Sequence, residues 1–389
     1  MEITLVKNFD EMNNFVLNHP YGNIMQTTYW AQIKKKDWKP HFLCFRQSGE
    51  LVGTAMLLER PFLLGSSFFY CSRGPVIDYQ NETLVKEAIE KIRDYIKKCK
   101  GFVCEFDPEI TYKCLSSQTL EEISNNKKIF DNISKYANHK GFFNDMGSSN
   151  QPRFQMVVDL SIPDLKAQIN RKRRAVFSDT YLEKRGFEFV DITTLSGIDE
   201  FSRLSKITEK RQGIFLRNQD YFLNMFNTFE KKELIRIFGI KVDLNKLLDF
   251  LEETKQDKKY MNEINEIKNE EGQILFTNAI ICVLGTNMVQ MMYGASDYRF
   301  NRYNPGSKLH LNSMQWAKDN GFQYFNMGGV SGTFDDHLYK FKSVFNPMIY
   351  EYVGDFEIVS NKLIYMFFQI AKKAYSNLRM LPRKIFKRK

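Results

Sequence analysis

The sequence predicts an α/β (α+β) protein built from two similar domains, with a short helical hairpin inserted in the second. Three observations lead there. The chain has 389 residues and is 43% hydrophobic, enough for two cores. Helical and alternating apolar patterns follow one another in a set order: strand, helix, helix, strands, helix, strand. That order then recurs, loosely, in the second half.

In the first half, residues 2–6 read as a strand. Phe9 to Leu17 is an amphipathic helix with Phe9, Met12, Phe15 and Val16 on one face. Gln26-Thr27-Thr28-Tyr29-Trp30 opens a helix running to about Lys36. Strands at 39–46 and 51–60 flank a Ser48-Gly49 turn, and a strand at 67–71 is broken by Arg73-Gly74-Pro75. A helix over 82–98 is capped by Asn81 and has lysines in its last turn. A strand over Val103 to Phe106 ends at Asp107-Pro108. In the second half, Val157 to Leu160, 234–241, 274–284, 287–293 and Tyr324 to Met327 read as strands. Leu195 to Lys210, Gln219 to Phe229 and Lys308 to Asn320 read as helices. This order resembles the GNAT-type acyltransferase fold.

Residues 243–271 fall outside the repeat. Leu244, Leu247, Leu248 and Leu251 form one apolar stripe, and Met261, Ile264 and Ile267 another, around a polar Lys255–Lys259 turn. That pattern predicts two short antiparallel helices projecting from the second domain. From Asn361 the chain is amphipathic and then basic, with no acidic residue from 362 onward. Such a segment suits an anionic membrane surface, and also a helix docked on the first domain.

The formal net charge is +10 and the pI about 9.1, which favours polyanionic partners without choosing among them. The 34 Phe and 19 Tyr can supply stacking surfaces or reflect compositional bias alone. Six cysteines without a C-x-x-C pair and five histidines without ligand spacing argue against a zinc site. Scattered thiols, no signal peptide and no bilayer-length apolar run point to the cytoplasm. No cofactor is expected.

Several segments, in order along nearly the whole chain, resemble the Fem family of peptidoglycan bridge-forming aminoacyltransferases. They are Gln26 to Trp38; Ser72-Arg73-Gly74-Pro75 with Glu105-Phe106-Asp107-Pro108; and Thr208 to Arg217 with Tyr221. Tyr293-Gly294-Ala295-Ser296 follows, then Phe325 to Gly329 with Tyr339-Lys340-Phe341-Lys342, and Tyr352 to Phe356. The resemblance implies two GNAT-like domains, 1–155 and 156–345, with 346–389 returning to the first and the 243–271 hairpin as a short helical arm. It implies transfer of an amino acid from aminoacyl-tRNA to the stem-peptide amine of lipid II or UDP-MurNAc-pentapeptide.

The same resemblance implies roles for particular residues. Asp107 holds the attacking amine, although an ordinary aspartate is too acidic to be an effective base. Lys342 stabilises the oxyanion beside Phe341, with Lys340 as the residue if the register slips. Lys34, Arg211 and Tyr293 bind the precursor, and Phe215 stands where some members carry a tyrosine. Arg171, Lys172, Arg173 and Arg174, near Lys166 and Arg185, resemble the family's basic stretch. A solvated helix face reads equally well, but such a run can meet tRNA phosphates. The competing reading is an acyl-CoA-dependent N-acyltransferase. It wants an Arg/Gln-x-x-Gly-x-Gly/Ala turn, which the sequence lacks; Gly328-Gly329 reads as a turn after a strand. A non-catalytic RNA- or membrane-binding module explains the charge but not the ordered segments.

Overall fold

A computed structural model describes residues 1–169, 177–213, 216–255 and 258–380. The first half contains β1 (Glu2–Leu5), α1 (Phe9–Asn18), α2 (Thr28–Lys34), β2 (Lys39–Gln47), β3 (Glu50–Pro61), β4 (Ser67–Cys71), β5 (Val76–Ile77), α3 (Glu82–Lys98), β6 (Gly101–Phe106), β7 (Thr111–Ser116), β8 (Glu122–Asn125), α4 (Lys127–Ser134) and β9 (Asn138–His139). The second contains β10 (Phe154–Asp159), α5 (Asp179–Glu183), β11 (Phe187–Asp191), α6 (Leu195–Gln212), α7 (Gln219–Phe229), β12 (Ile235–Asp243), α8 (Leu244–Glu253), α9 (Lys258–Glu271), β13 (Ile274–Leu284), β14 (Met288–Ser296), α10 (Pro305–Asp319), β15 (Tyr324–Val330), α11 (His337–Lys342), β16 (Met348–Tyr352), β17 (Phe356–Val359) and α12 (Lys362–Met380). Helices begin where a side chain can accept a free N–H. Asn81 accepts from Leu84 N, Thr194 from Gly197 N and Asn218 from Tyr221 N. Gly213, at φ 64°, ends α6 in a left-handed turn.

The first sheet runs β1-β2-β3-β4-β6-β17-β9, with β5 paired to β3; the second runs β11-β12-β13-β14-β15-β10-β16-β7-β8. Each contains one parallel step, β4 beside β6 and β14 beside β15, crossed through α3 and α10 respectively. The halves also exchange a strand. β17, from the C-terminal segment, lies beside β6, and β7, from the first half, lies beside β16. The sheets therefore do not part the chain at residue 155. β7 and β8 precede it yet extend the second sheet, and β16 of the returning segment also stays there. Only β17 and α12 go back to the first half, α12 by setting Phe368 against Phe62, Phe68 and Phe102.

The hairpin forms, as α8 and α9, but it does not project. Leu244, Leu247 and Leu251 of α8 and Tyr260, Ile264 and Ile267 of α9 are buried in the second core. Two short stripes have too little area to hold a free arm together, so they close on the sheet instead. A separate core joins the halves. Met12, Val16, Trp30 and Ile33 of α1 and α2 pack with Phe222, Met225 and Phe229 of α7 and Ile237 and Ile281 of the second sheet. This junction fixes α2 against α7, where several of the expected site residues lie.

Candidate active site

The parallel pairing of β14 and β15 runs from Met288↔Tyr324 only to Gln290↔Asn326. On its other edge β15 pairs with β10 along its whole length, through a bulge that sets Gly329 opposite Gln155, so only the β14 side opens. The Asn326 side chain makes the bulge tolerable, accepting from Gly328 N at 2.8 Å and donating to Gln155 Oε1 at 2.6 Å. The split leaves a cleft of about 740 Å³ between the end of β14, the start of α10 and the end of α11. A volume of that size suits a small-molecule or aminoacyl-nucleoside end. Gly294, Ser296, Asn304, Gly306 and His310 line it, with Arg211 at the end of α6 and Phe341 and Lys342 of α11.

Lys342 is held at this split. Asp336 caps α11 by accepting from Tyr339 N at 2.6 Å, and the helix turns Lys342 inward while Lys340 is exposed. Lys342 is buried, and its Nζ donates to the Gly329 carbonyl at 2.9 Å, one of the groups left over where the parallel pairing stops. Burial lowers its pKa to about 7, against the pull of Asp336. His310 sits beside it on α10. Its ring meets Phe341 edge-on at 5.0 Å, and Nδ1 lies 2.8 Å from the Gly306 carbonyl. A carbonyl only accepts, so Nδ1 carries the proton and Nε2 keeps a lone pair. Burial, with Lys342 adding to it, pushes the His310 pKa down to about 4, so the ring is neutral. The cleft therefore offers one ammonium donor and one imidazole acceptor. Sequence reasoning missed His310, because a single histidine between Leu309 and Leu311 on a helix carries no ligand or triad spacing.

A second cluster gathers at the junction of α2 and α7. Lys34 Nζ donates to Tyr221 Oη at 3.2 Å and lies over the Trp30 ring at 4.6 Å. Tyr293 Oη donates to Tyr221 Oη at 3.3 Å, and Arg217 stacks over the Tyr221 ring at 5.1 Å. Burial and then Arg217 lower the Lys34 pKa to about 8, with Asp37 opposing. Lys34 and Tyr293, far apart in sequence, thus share one polar cluster with Tyr221 at its centre. Arg211 is exposed and belongs to the Lys342 cleft instead.

Asp107 ends β6 but does not face an open cleft. It is 2% exposed and accepts from Arg73 N at 2.7 Å and Tyr70 Oη at 2.8 Å. Burial lifts its carboxyl to about 7; Arg73 pulls it back and Asp355 pushes it further. It is not among the residues lining the Lys342 cleft. Phe215 and Arg171, Lys172, Arg173 and Arg174 lie outside the described residues. Arg185 is half-buried rather than free for phosphate, stacked on Tyr181 at 3.9 Å and Phe250 at 4.2 Å.

The comparisons with known proteins agree with this architecture. The FemAB family model matches residues 8–260 and 241–373. The "Lipid II:glycine glycyltransferase" of Staphylococcus saprophyticus is 26% identical, with 96% of this chain and 97% of that protein covered. Its counterpart from Staphylococcus aureus strain RF122 is 25% identical, covering 97% and 98%. A crystal structure of FemX superposes with a TM-score of 0.78 at 21% identity, covering 94% of this chain and 99% of that one. A tandem GNAT protein from the clavulanic acid biosynthesis pathway superposes at 0.51 with 10% identity, covering 92% and 98%. The likeness to both structures shows two GNAT-like domains, and the family match over most of the chain shows that this protein belongs to the FemAB family.

Proposed function

We propose that the protein is a transferase of peptidoglycan synthesis that moves an amino acid from aminoacyl-tRNA to the stem-peptide amine of a precursor. Its relatives' names favour glycine and lipid II over UDP-MurNAc-pentapeptide. The observation that carries the reading is the buried Lys342 ammonium at the split between β14 and β15, inside a cleft large enough for an aminoacyl-adenosine end. The amine attacks the ester carbonyl, the carbonyl oxygen gains charge, and Lys342 stabilises it in a water-poor site. The amine loses a proton as the ribose hydroxyl leaves with one, and His310, held at about 4 and so too weak a base to take that proton, offers its Nε2 lone pair as a neutral hydrogen-bond acceptor. Because the ester is already activated, placement of the two substrates supplies much of the rate. Phe341 holds the His310 ring. Lys34, Tyr293 and Arg211 bind the phosphates and peptide of the precursor, joined by Phe215, and Arg171, Lys172, Arg173 and Arg174 meet the tRNA backbone. The role of Asp107 in holding the amine requires its carboxylate to release Tyr70 or Arg73. The enzyme works in the cytoplasm, with its basic C-terminal residues at the inner membrane face.

The acyl-CoA reading is the weaker one. The helix beside the cleft opens Asn304-Pro305-Gly306, and Pro305 removes one of the N–H groups that would cradle a pyrophosphate. The test is a transfer assay with tRNA charged with labelled glycine, alanine, serine or threonine, and lipid II or the UDP-linked precursor as acceptor. tRNA-dependent label in one acceptor is the expected result. Transfer from acetyl-CoA, with none from any charged tRNA, overturns it.

A further inference from the structure

Helix α12 is apolar on two faces. One face packs on the protein: Phe368 meets Phe62, Phe68 and Phe102 at ring separations of 5.5, 5.7 and 5.3 Å, and Tyr365 donates to Glu357. The other faces outward. Leu363, Met366, Phe367 and Ile370 are 71%, 60%, 69% and 64% exposed, and their spacing puts them on a single stripe. The turn after β3 lies beside this helix, because Phe62 leads into it. There Leu63 is 66% and Leu64 98% exposed. Leu64 adopts φ 58°, a left-handed conformation unfavourable for a side chain of its size, within a turn closed by Phe62 N donating to Ser66 O at 2.7 Å. Two apolar elements from opposite ends of the chain are thus presented together.

The charges that the segment itself carries have one sign, although Lys372 lies 4.0 Å from Glu105 of β6. From Lys362 onward the sequence carries Lys372, Lys373, Arg379, Arg383, Lys384, Lys387, Arg388 and Lys389 and no acidic residue. Among the described residues no helix is long and apolar enough to cross a membrane. We propose that the outer stripe of α12 and the Leu63–Leu64 turn form a docking surface for an anionic lipid bilayer, with α12 lying in its interface. The stripe and the leucine turn enter the acyl boundary, and the flanking cations meet the headgroups. For its use, the surface rests on the reading of a lipid-linked acceptor. Its existence is tested without acceptor or donor, so the two fail separately.

The experiment is co-sedimentation of the full chain with vesicles of phosphatidylcholine, alone or mixed with phosphatidylglycerol. Wild type is expected to bind the mixed vesicles and not the neutral ones. The double variants Leu63→Ser/Leu64→Ser and Met366→Ser/Phe367→Ser are each expected to bind about tenfold more weakly, with melting unchanged, since all four side chains are already in solvent. Equal binding to neutral vesicles, no binding to either kind, or variants that bind as tightly as wild type overturns the proposal. So does a concentration-dependent dimer of the wild type that these variants abolish, which assigns the surface to a second copy.

Discussion

The two halves build the same crossover and finish it differently. In the first, β4 and β6 stay paired from Ser67↔Gly101 to Cys71↔Phe106, the last residue of each strand. The Gln26 amide then fills the space between β3 and the end of β4. It accepts from Met56 N at 2.8 Å and donates to Ser72 O at 2.7 Å and Met56 O at 3.2 Å. Arg73, Gly74 and Pro75 fold over it, all buried. In the second half, the pairing stops at Gln290↔Asn326, and the space is left open beside a lysine ammonium. The end of β4 is thus closed by a neutral amide that satisfies the backbone of β3 and of the turn at Ser72. The second parallel step is held apart with a cation on a spare carbonyl. A duplicated fold yields one closed unit and one open cleft by changing what occupies the end of the parallel pair.

The largest expected effect comes from removing the cation. Lys342→Met is expected to lower transfer by about 10²–10³-fold, measured as kcat with saturating donor. The same change should raise the melting temperature. In the unfolded chain the lysine titrates near its ordinary 10.5, whereas the folded value is about 7. Between those pH values the unfolded state holds a proton that the native state does not, so stability from this group rises with pH. The gain on substitution is therefore larger at pH 6 than at pH 9. Lys342→Arg, which cannot lose its proton, is expected to remove the loss of activity above pH 7 that belongs to this group.

The next two changes exchange the properties of the halves. Gly294→Phe should fill the second cleft, because a Cβ there meets only Ile280 Cγ2 at 3.7 Å and Met291 Cε at 4.0 Å. Transfer is expected to fall roughly a hundredfold, with stability nearly unchanged. Gly74→Ala should do the reverse. Its Cβ would lie 2.3–2.6 Å from the Gln26 amide, so stability is expected to fall by about 2–3 kcal/mol in urea unfolding. Activity per folded molecule should hold.

Smaller effects are expected around the remaining residues. Lys34→Met should raise KM for the acceptor about tenfold with little change in kcat, as expected for a contact made equally in ground and transition states. Asp107→Asn should act mainly on stability. The raised carboxyl contributes stability fully present below its ordinary value of 3.8 and lost as pH rises through about 7. The variant, compared with wild type by thermal melting, should therefore gain more at pH 8 than at pH 5. Full activity in that variant removes Asp107 from amine handling.

Much of the local structure was legible in the residues. Asn81 marks the start of α3, because a cap is a short-range interaction that sequence records directly, and the apolar pattern placed α7 over Gln219 to Phe229. The strand exchange was not legible. β7 and β17 are not among the strands read in the sequence, and which sheet receives them depends on edges formed by distant segments. The hairpin's stripes predicted two helices correctly but not their closure on the core, since a stripe does not name its partner. Which of Lys340 and Lys342 faces inward followed once α11 proved helical, because residues two apart diverge on a helix. Arg185 read as part of a basic patch, yet it lies among aromatic rings that local sequence does not bring together.

The most direct test of the second cleft as the donor site is binding of a non-hydrolysable 3′-aminoacylamino-adenosine analogue, followed by calorimetry in wild type, Gly74→Ala and Gly294→Phe. Wild type and folded Gly74→Ala should bind it with equal affinity, and Gly294→Phe should not bind it. Undiminished binding by Gly294→Phe contradicts the assignment and moves the donor out of the split between β14 and β15.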